Sequence, residues 1–275
     1  MEELFDILPS EWAERFLETE KERIELQFKD AGPLSLLQSK AGGRGYLPKE
    51  QGYPVTEEGK PLSLLAQINF SEMPQMENYP EFGLLAFYVD FQDDFYGLDY
   101  ENPTSQEGFR VFFFDDLGQE SYTKEEQEIF FDEVEKGDYY SLVNGEFEIT
   151  GQISDQILLN DSCDFKNEFG DYFYELADQI FDEDADKSFA LANLASKLEA
   201  SQIGGYPFFI QDDPRVYIEN AQQDTLLFQL NSKYNQESGK VDIMWGDCGV
   251  GNFFINKQDL INRDFSNILY NWDCS

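Results

Sequence analysis

Two stretches of this chain, 162 residues apart, spell nearly the same phrase: residues 64–69 read LLAQIN and residues 226–231 read LLFQLN. The match extends in both directions. Gly42-Gly43 falls on Gly204-Gly205, Gln67 on Gln229 and Asn69 on Asn231 without a gap. Further on, GLLAFYVDFQD at 83–93 aligns with GVGNFFINKQD at 249–259 at a spacing of 166, so one loop has gained four residues. A single hexapeptide can recur by chance in a biased composition. An ordered series of GG, LLxQxN and G-x3-F-aromatic-aliphatic-x2-QD reads as an internal duplication. The period is far too long for a solenoid, which leaves a pair of similar halves.

Each half reads as strands. LLAQIN and LLFQLN are short apolar runs interrupted by one Gln and closed by Asn, a turn-favouring residue. LAFYV (85–89) and NFFIN (252–256) are aromatic and β-branched. RIELQF (23–28), RVFFF (110–114), GEFEITGQI (145–153), VYI (216–218), VDIMW (241–245) and ILYNW (268–272) are further strand candidates. GEFEITGQI alternates apolar and polar residues, as a half-exposed antiparallel strand does.

Helices interleave with these strands. Ser10 is placed to cap a helix through about Lys21, with Trp12, Phe16 and Leu17 on one face. Thr123 and Glu126 form a capping box opening a helix to about Lys136, with Ile129, Phe130 and Val134 inward. Phe165, Phe169, Phe173, Leu176 and Ile180 recur at helical spacing over 163–182, and Asp186 opens another helix over 186–200. The stretch 92–109 is rich in Asp, Asn, Pro and Gly and reads as a loop.

The expectation is an α+β fold, predominantly antiparallel and roll-like, with peripheral helices and a pseudo-twofold axis between duplicated β units. One domain spans residues 1–275. Its first half covers about 38–93 with an insertion at 94–160, connecting helices run about 161–200, and the second half covers about 201–275. The second half is short for a core of its own.

Composition narrows the chemistry. The chain has 56 acidic and 19 basic residues, a formal charge of −37. Such a surface repels phosphate backbones and anionic membranes, so neither nucleic acid nor membrane is an expected partner. It attracts basic proteins. No apolar run reaches the ~20 residues that span a bilayer, and the acidic N-terminal stretch lacks a signal peptide's layout. Three cysteines without a CxxC fit a reduced, cytoplasmic chain. Histidine is absent, which removes the Ser-His-Asp and Cys-His routes and ordinary zinc sites. No cofactor and no metal site is expected.

Candidate sites follow, each with a plain alternative. Gln67 and Gln229 sit inside apolar strands, where a buried amide needs partners; they bind a ligand between the repeats or satisfy neighbouring backbone. Trp245 and Asp247 would lie near the same inter-repeat groove. The acids Asp90, Asp93, Asp94 and Asp99 have oxygens suited to calcium but lack the order of an EF-hand, and solvated charge is the alternative. Gly246 to Gly251 is glycine-rich, yet a strand follows it instead of a helix, so a turn is its expected role.

The segments GGRGYLP, KPLSLLAQINF, YGLDY, IMWGDCGVGNFFI and DFSNILYNWDC together resemble the YwqG-like family of bacterial proteins, over most of the chain from about residue 38. The resemblance implies a mainly antiparallel roll-like β fold decorated with helices and a bacterial cytosolic setting. It supplies no catalytic residues. Relatives lie beside secreted-toxin gene clusters, which implies an immunity-like role. The expected function is a non-catalytic interaction or immunity-like factor for a basic protein partner. A small-ligand-binding module in the inter-repeat groove and a carboxylate- or metal-dependent hydrolase are the alternatives.

Overall fold

The computed structural model describes residues 2–132, 141–182, 184–235 and 239–275. The strands are β1 (Lys21–Asp30), β2 (Lys40–Gly42), β3 (Ser63–Asn69), β4 (Leu84–Val89), β5 (Phe109–Phe114), β6 (Glu146–Gln156), β7 (Gln202–Gly204), β8 (Thr225–Asn231), β9 (Lys233–Asn235), β10 (Lys240–Ile243), β11 (Val250–Ile255) and β12 (Leu269–Asp273). The helices are α1 (Glu2–Ile7), α2 (Ser10–Leu17), α3 (Lys124–Glu128), α4 (Cys163–Phe169), α5 (Phe173–Phe181), α6 (Ala185–Ser196) and α7 (Lys257–Asn262).

Ten strands form one antiparallel sheet in the order β12-β11-β8-β7-β1-β6-β2-β3-β4-β5, and β9 and β10 pair separately. The order is symmetric about its centre. From the β1–β6 pair, one arm runs β2-β3-β4-β5 and the other β7-β8-β11-β12. Strand β4 stands six places from β8, which on a flat sheet would separate them by about 29 Å. Yet Phe87 of β4 stacks on Phe228 of β8 at 4.5 Å and meets Phe253 of β11 at 4.8 Å. The sheet is therefore strongly curled, and the α+β, antiparallel, roll-like class expected from the sequence is the one observed. The main core lies inside the curl and draws Leu65, Phe87, Phe228, Trp245, Phe253 and Tyr270 from both arms.

Local geometry recurs between the arms at the spacing of 162. Gly42 and Gly43 have φ of 70° and 68°; Gly204 and Gly205 have 68° and 70°. These left-handed conformations end β2 and β7, where glycine carries no Cβ penalty. The ladder of β3 with β4 skips Leu65, and that of β8 with β11 skips Leu227. The amide of Asn69 donates to Ser39 Oγ, and that of Asn231 to Ser201 Oγ, each at 2.9 Å.

A second cluster forms under the helices. Leu4, Phe16, Leu159, Phe165, Phe173 and Leu191 pack there. The periodicity over 163–182 is real, but the segment is two helices. Gly170 caps α4 in the left-handed conformation (φ 82°), and the chain turns before α5. The apolar stripe survives because both helices face the same cluster.

Other expectations change in detail. The capping box at Thr123 and Glu126 is present, but α3 tightens into a 3-10 turn at Ile129–Phe131. Ile129 is exposed there and Phe130 lies against Tyr53 at 4.4 Å, so Ile129 does not face inward. Val134 and Lys136 lie outside the described residues. Asp184, not Asp186, caps α6 by accepting from the Lys187 amide. Helix α2 ends at Leu17 and is preceded by Pro9 with no side-chain cap, and α1 precedes it. VYI is not a strand: Pro214–Tyr217 form a 3-10 turn because Asp213 caps it and Pro214 begins it.

Candidate functional site

Gln67 and Gln229 are fully buried, and their amides make matching sets of bonds. Gln67 Oε1 accepts from the Tyr46 amide at 2.9 Å, and its Nε2 donates to the carbonyls of Leu36 and Gln38, both at 2.7 Å. Gln229 Oε1 accepts from the Phe208 amide at 2.7 Å, and its Nε2 donates to the Ala200 carbonyl at 2.6 Å and to Asn231 Oδ1 at 3.1 Å. Each amide clamps the loop that leads into its arm. Gly45 is required beside the first clamp, since a Cβ there would come within 2.2 Å of Gln67 Oε1.

Beside each clamp lies a second polar pair whose charges differ. Lys40 is fully buried; its Nζ donates to Glu146 Oε1 at 2.7 Å and to the Arg44 carbonyl at 3.1 Å. At the corresponding place Gln202 Nε2 donates to the Tyr206 carbonyl at 2.9 Å, and its Oε1 accepts from Arg23 Nη1 at 2.7 Å. An acid on β6 stands in one arm where a base on β1 stands in the other, and the amide of Gln202 can serve either polarity. Burial pulls the Lys40 ammonium below its usual range, against the pull of Glu146.

Trp245 and Asp247 do not join the glutamines. The Trp245 ring is buried against Gly251, where any Cβ would strike it at 2.2 Å, and its Nε1 has no partner among the described residues. Asp247 is exposed in the turn that the Gly249 amide closes on the Trp245 carbonyl at 2.8 Å. The two glutamine amides are spent on backbone and on Asn231. None of the four residues lines the three cavities described next.

The loop after β4 carries the acids singled out for calcium. It borders a groove of about 480 Å³ with Glu57, Glu58 and Glu107. Asp90 Oδ1 accepts from the Gln92 amide at 2.8 Å, Asp93 Oδ2 from Gly97 at 2.9 Å, and Asp99 Oδ1 from Glu101 at 2.9 Å. These carboxylates shape turns in the loop. Burial raises the Asp90 carboxyl above its usual range. Among the described residues, no group of three acidic or cysteine side chains is arranged to hold a metal ion.

A cavity of about 530 Å³ opens between the 98–104 loop, the 211–218 segment and the outer end of β12. Tyr100, Tyr217, Trp272, Asp212 and Asp273 are among its walls. Asp273 is buried, which raises its carboxyl, and it accepts from the amides of Ile210 at 3.1 Å and Gln211 at 2.9 Å. A neighbouring cavity of about 350 Å³ shares Asp212 and Tyr217 with it. Sequence reasoning missed this place, because it read Tyr217 into a strand. The pairing of Asp213 with Pro214, a helical-turn start, is the signal that could have found it.

Arg215 anchors this region from below. Its Nη2 lies 2.7 Å from both Asp213 Oδ2 and Asp164 Oδ2, and its guanidinium sits 4.5 Å from the centre of the Phe254 ring. Burial pulls the guanidinium down, and the two carboxylates more than restore it. The same Asp213 carboxylate accepts from the Cys163 amide at 2.9 Å and so ties α4 to the second arm.

The described residues contain no helix long and apolar enough to cross a membrane. No curated protein matches this chain. The family model described as a domain of unknown function, DUF1963, matches residues 39–274, from the start of β2 to the end of β12, and the chain belongs to that family.

Proposed function

We propose that this protein is a non-catalytic, cytoplasmic interaction protein that binds a basic protein partner through its acidic surface. One observation carries the reading: three of the few cations are spent inside the fold, while among the described residues only Asp90, Asp213, Asp242 and Asp273 of the many acids are buried. Lys40, Arg23 and Arg215 are buried and bound within the structure. In the groove beside the 90–99 loop, Lys60 is held by Glu58 at 2.9 Å while the carboxylates of Asp94 and Glu107 line the groove. With a formal charge of −37, the field favours fast encounter with a basic protein and opposes phosphate backbones. We read the matched clamps as a duplicated β unit, and the motifs quoted above as YwqG-like and bacterial. Gene neighbourhoods of that group favour an immunity-like role.

The test is capture from the source cells on immobilised protein, eluted by raising salt from about 0.05 M to about 0.5 M, which shortens the screening length severalfold. A stoichiometric basic protein released by salt, and held less well by a variant carrying Glu57→Gln, Asp94→Asn and Glu107→Gln, supports the reading. Retention that is indifferent to salt and to those neutral changes refutes it.

A further inference from the structure

The larger of the two cavities that share Asp212 and Tyr217 forms a trough between the 98–104 loop, the 211–218 segment and the outer end of β12. Among the described residues, no Lys or Arg lines either cavity. Arg215 beneath is neutralised by Asp213 and Asp164, and Lys166 sits at the Tyr172 wall of the smaller cavity, donating to its hydroxyl at 3.0 Å and lying 4.2 Å over its ring, away from the larger cavity's lining. The aromatic residues of the main cavity are unusually open: Tyr100 is 67% exposed and Tyr217 73%. They are also held in place. Tyr217 Oη donates to Asp212 Oδ2 at 2.8 Å, and Trp272 Nε1 donates to the Phe95 carbonyl at 2.6 Å. The Tyr100 ring meets Phe95 edge-on at 5.7 Å. In the larger cavity, aromatic faces next to carboxylates, with no Lys or Arg among its described lining residues, suit a flat guanidinium, which stacks on rings and pairs with carboxylates at once.

We propose that this trough receives an arginine-bearing segment of a basic protein, with arginine side chains between Tyr100, Tyr217 and Trp272 and against Asp212. This assignment rests on the reading of the protein as a binder of a basic partner, and it names the place and the side chain. An ammonium ion gains less here, because it is more strongly hydrated and cannot stack or bind in a bidentate way.

The experiment titrates the full-length, isotope-labelled protein with the peptide acetyl-Gly-Arg-Gly-Arg-Gly-amide and follows amide chemical shifts. Shifts are expected at residues 98–104, 211–218 and 271–274, with weaker binding of the lysine counterpart. Tyr100→Ala and Tyr217→Ala leave net charge unchanged and sit on the surface, so the fold is retained; each is expected to weaken binding about fivefold. Glu20→Gln, an exposed acid before β1 that lines neither acidic groove, leaves the affinity as it was. Shifts confined to residues 90–99, or affinities equal in both tyrosine variants and wild type, overturn the site. The acidic-binder reading would still stand or fall by the salt-eluted capture. Tighter binding of spermidine than of the peptide overturns the choice of a protein segment as the occupant.

Discussion

Replacing Gln67 by Leu keeps a similar volume in β3 and removes the clamp. Three backbone groups lose their partner: the Tyr46 amide and the carbonyls of Leu36 and Gln38. A buried group left unsatisfied costs about 1–3 kcal/mol. Two of these three bonds are only partly buried, so water recovers some of the loss. We predict a net destabilisation of about 3–4 kcal/mol. For a chain of this size that lowers Tm by roughly 5–7 °C. Guanidinium unfolding followed by circular dichroism measures the first quantity and thermal scanning the second. Gln229→Leu, stripping the Phe208 amide and the Ala200 carbonyl, should behave alike. The two clamps share no partner, so the double variant should equal the sum within about 0.5 kcal/mol. A loss below about 1 kcal/mol for Gln67→Leu would refute the clamp argument, since such values are ordinary for surface changes. It would also reopen a ligand role for the amide.

Three further predictions follow from other sites. Arg215→Met leaves the buried Asp213 carboxylate without its cation and should cost about 3–5 kcal/mol, whereas adding Asp213→Asn, which removes the unpaired charge and keeps an oxygen for the capping bond, should restore part of it; equal stability of the two variants in denaturant would count against the pair. Gly97→Ala places a Cβ 1.9 Å from the Gly108 carbonyl oxygen at φ 72°, while Gly52→Ala meets nothing at φ 73°. Calorimetry should show the Gly52 change costing about 1 kcal/mol and the Gly97 change at least about 2 kcal/mol. Burial raises the Glu146 carboxyl, but hydrogen bonds from Lys40 and Lys124 outweigh it and hold the group below its ordinary range. Its ionised form is thus favoured by folding, a contribution present above about pH 4.3 and lost as pH falls through the lower folded value. The stability gap between wild type and Glu146→Gln should narrow from pH 6 to pH 3.5, about the interval spanning that loss; a gap constant with pH would contradict the assignment.

How legible the molecule was in its sequence depended on the range of the forces involved. Alternation along 145–153, the aromatic runs at 85–89 and 252–256, and the Thr123–Glu126 box are local signals, and the corresponding elements form. The matched GG and LLxQxN phrases by themselves marked positions that turn out to share backbone conformation and bonding. Strands β2 and β7 are three residues long, too short for periodicity, and pairing with the central β1–β6 ladder defines them. The two breaks that sequence reading passed over, at Gly170 and at Pro214, were written in single residues that an apolar stripe outweighed.

The sequence by itself determined the antiparallel class and the excess of acid over base, because these follow from alternation and charge count. Only the tertiary structure decided where the polar groups end. The curl of the sheet carries Phe87 onto Phe228, and loops distant in the chain bring their backbone to Gln67 and Gln229. A buried amide has no preference for a ligand over a carbonyl; it bonds whichever the fold delivers, and that delivery is a long-range event. The same holds for the trough at Tyr100 and Tyr217, whose walls come from segments more than a hundred residues apart and meet only when the sheet closes.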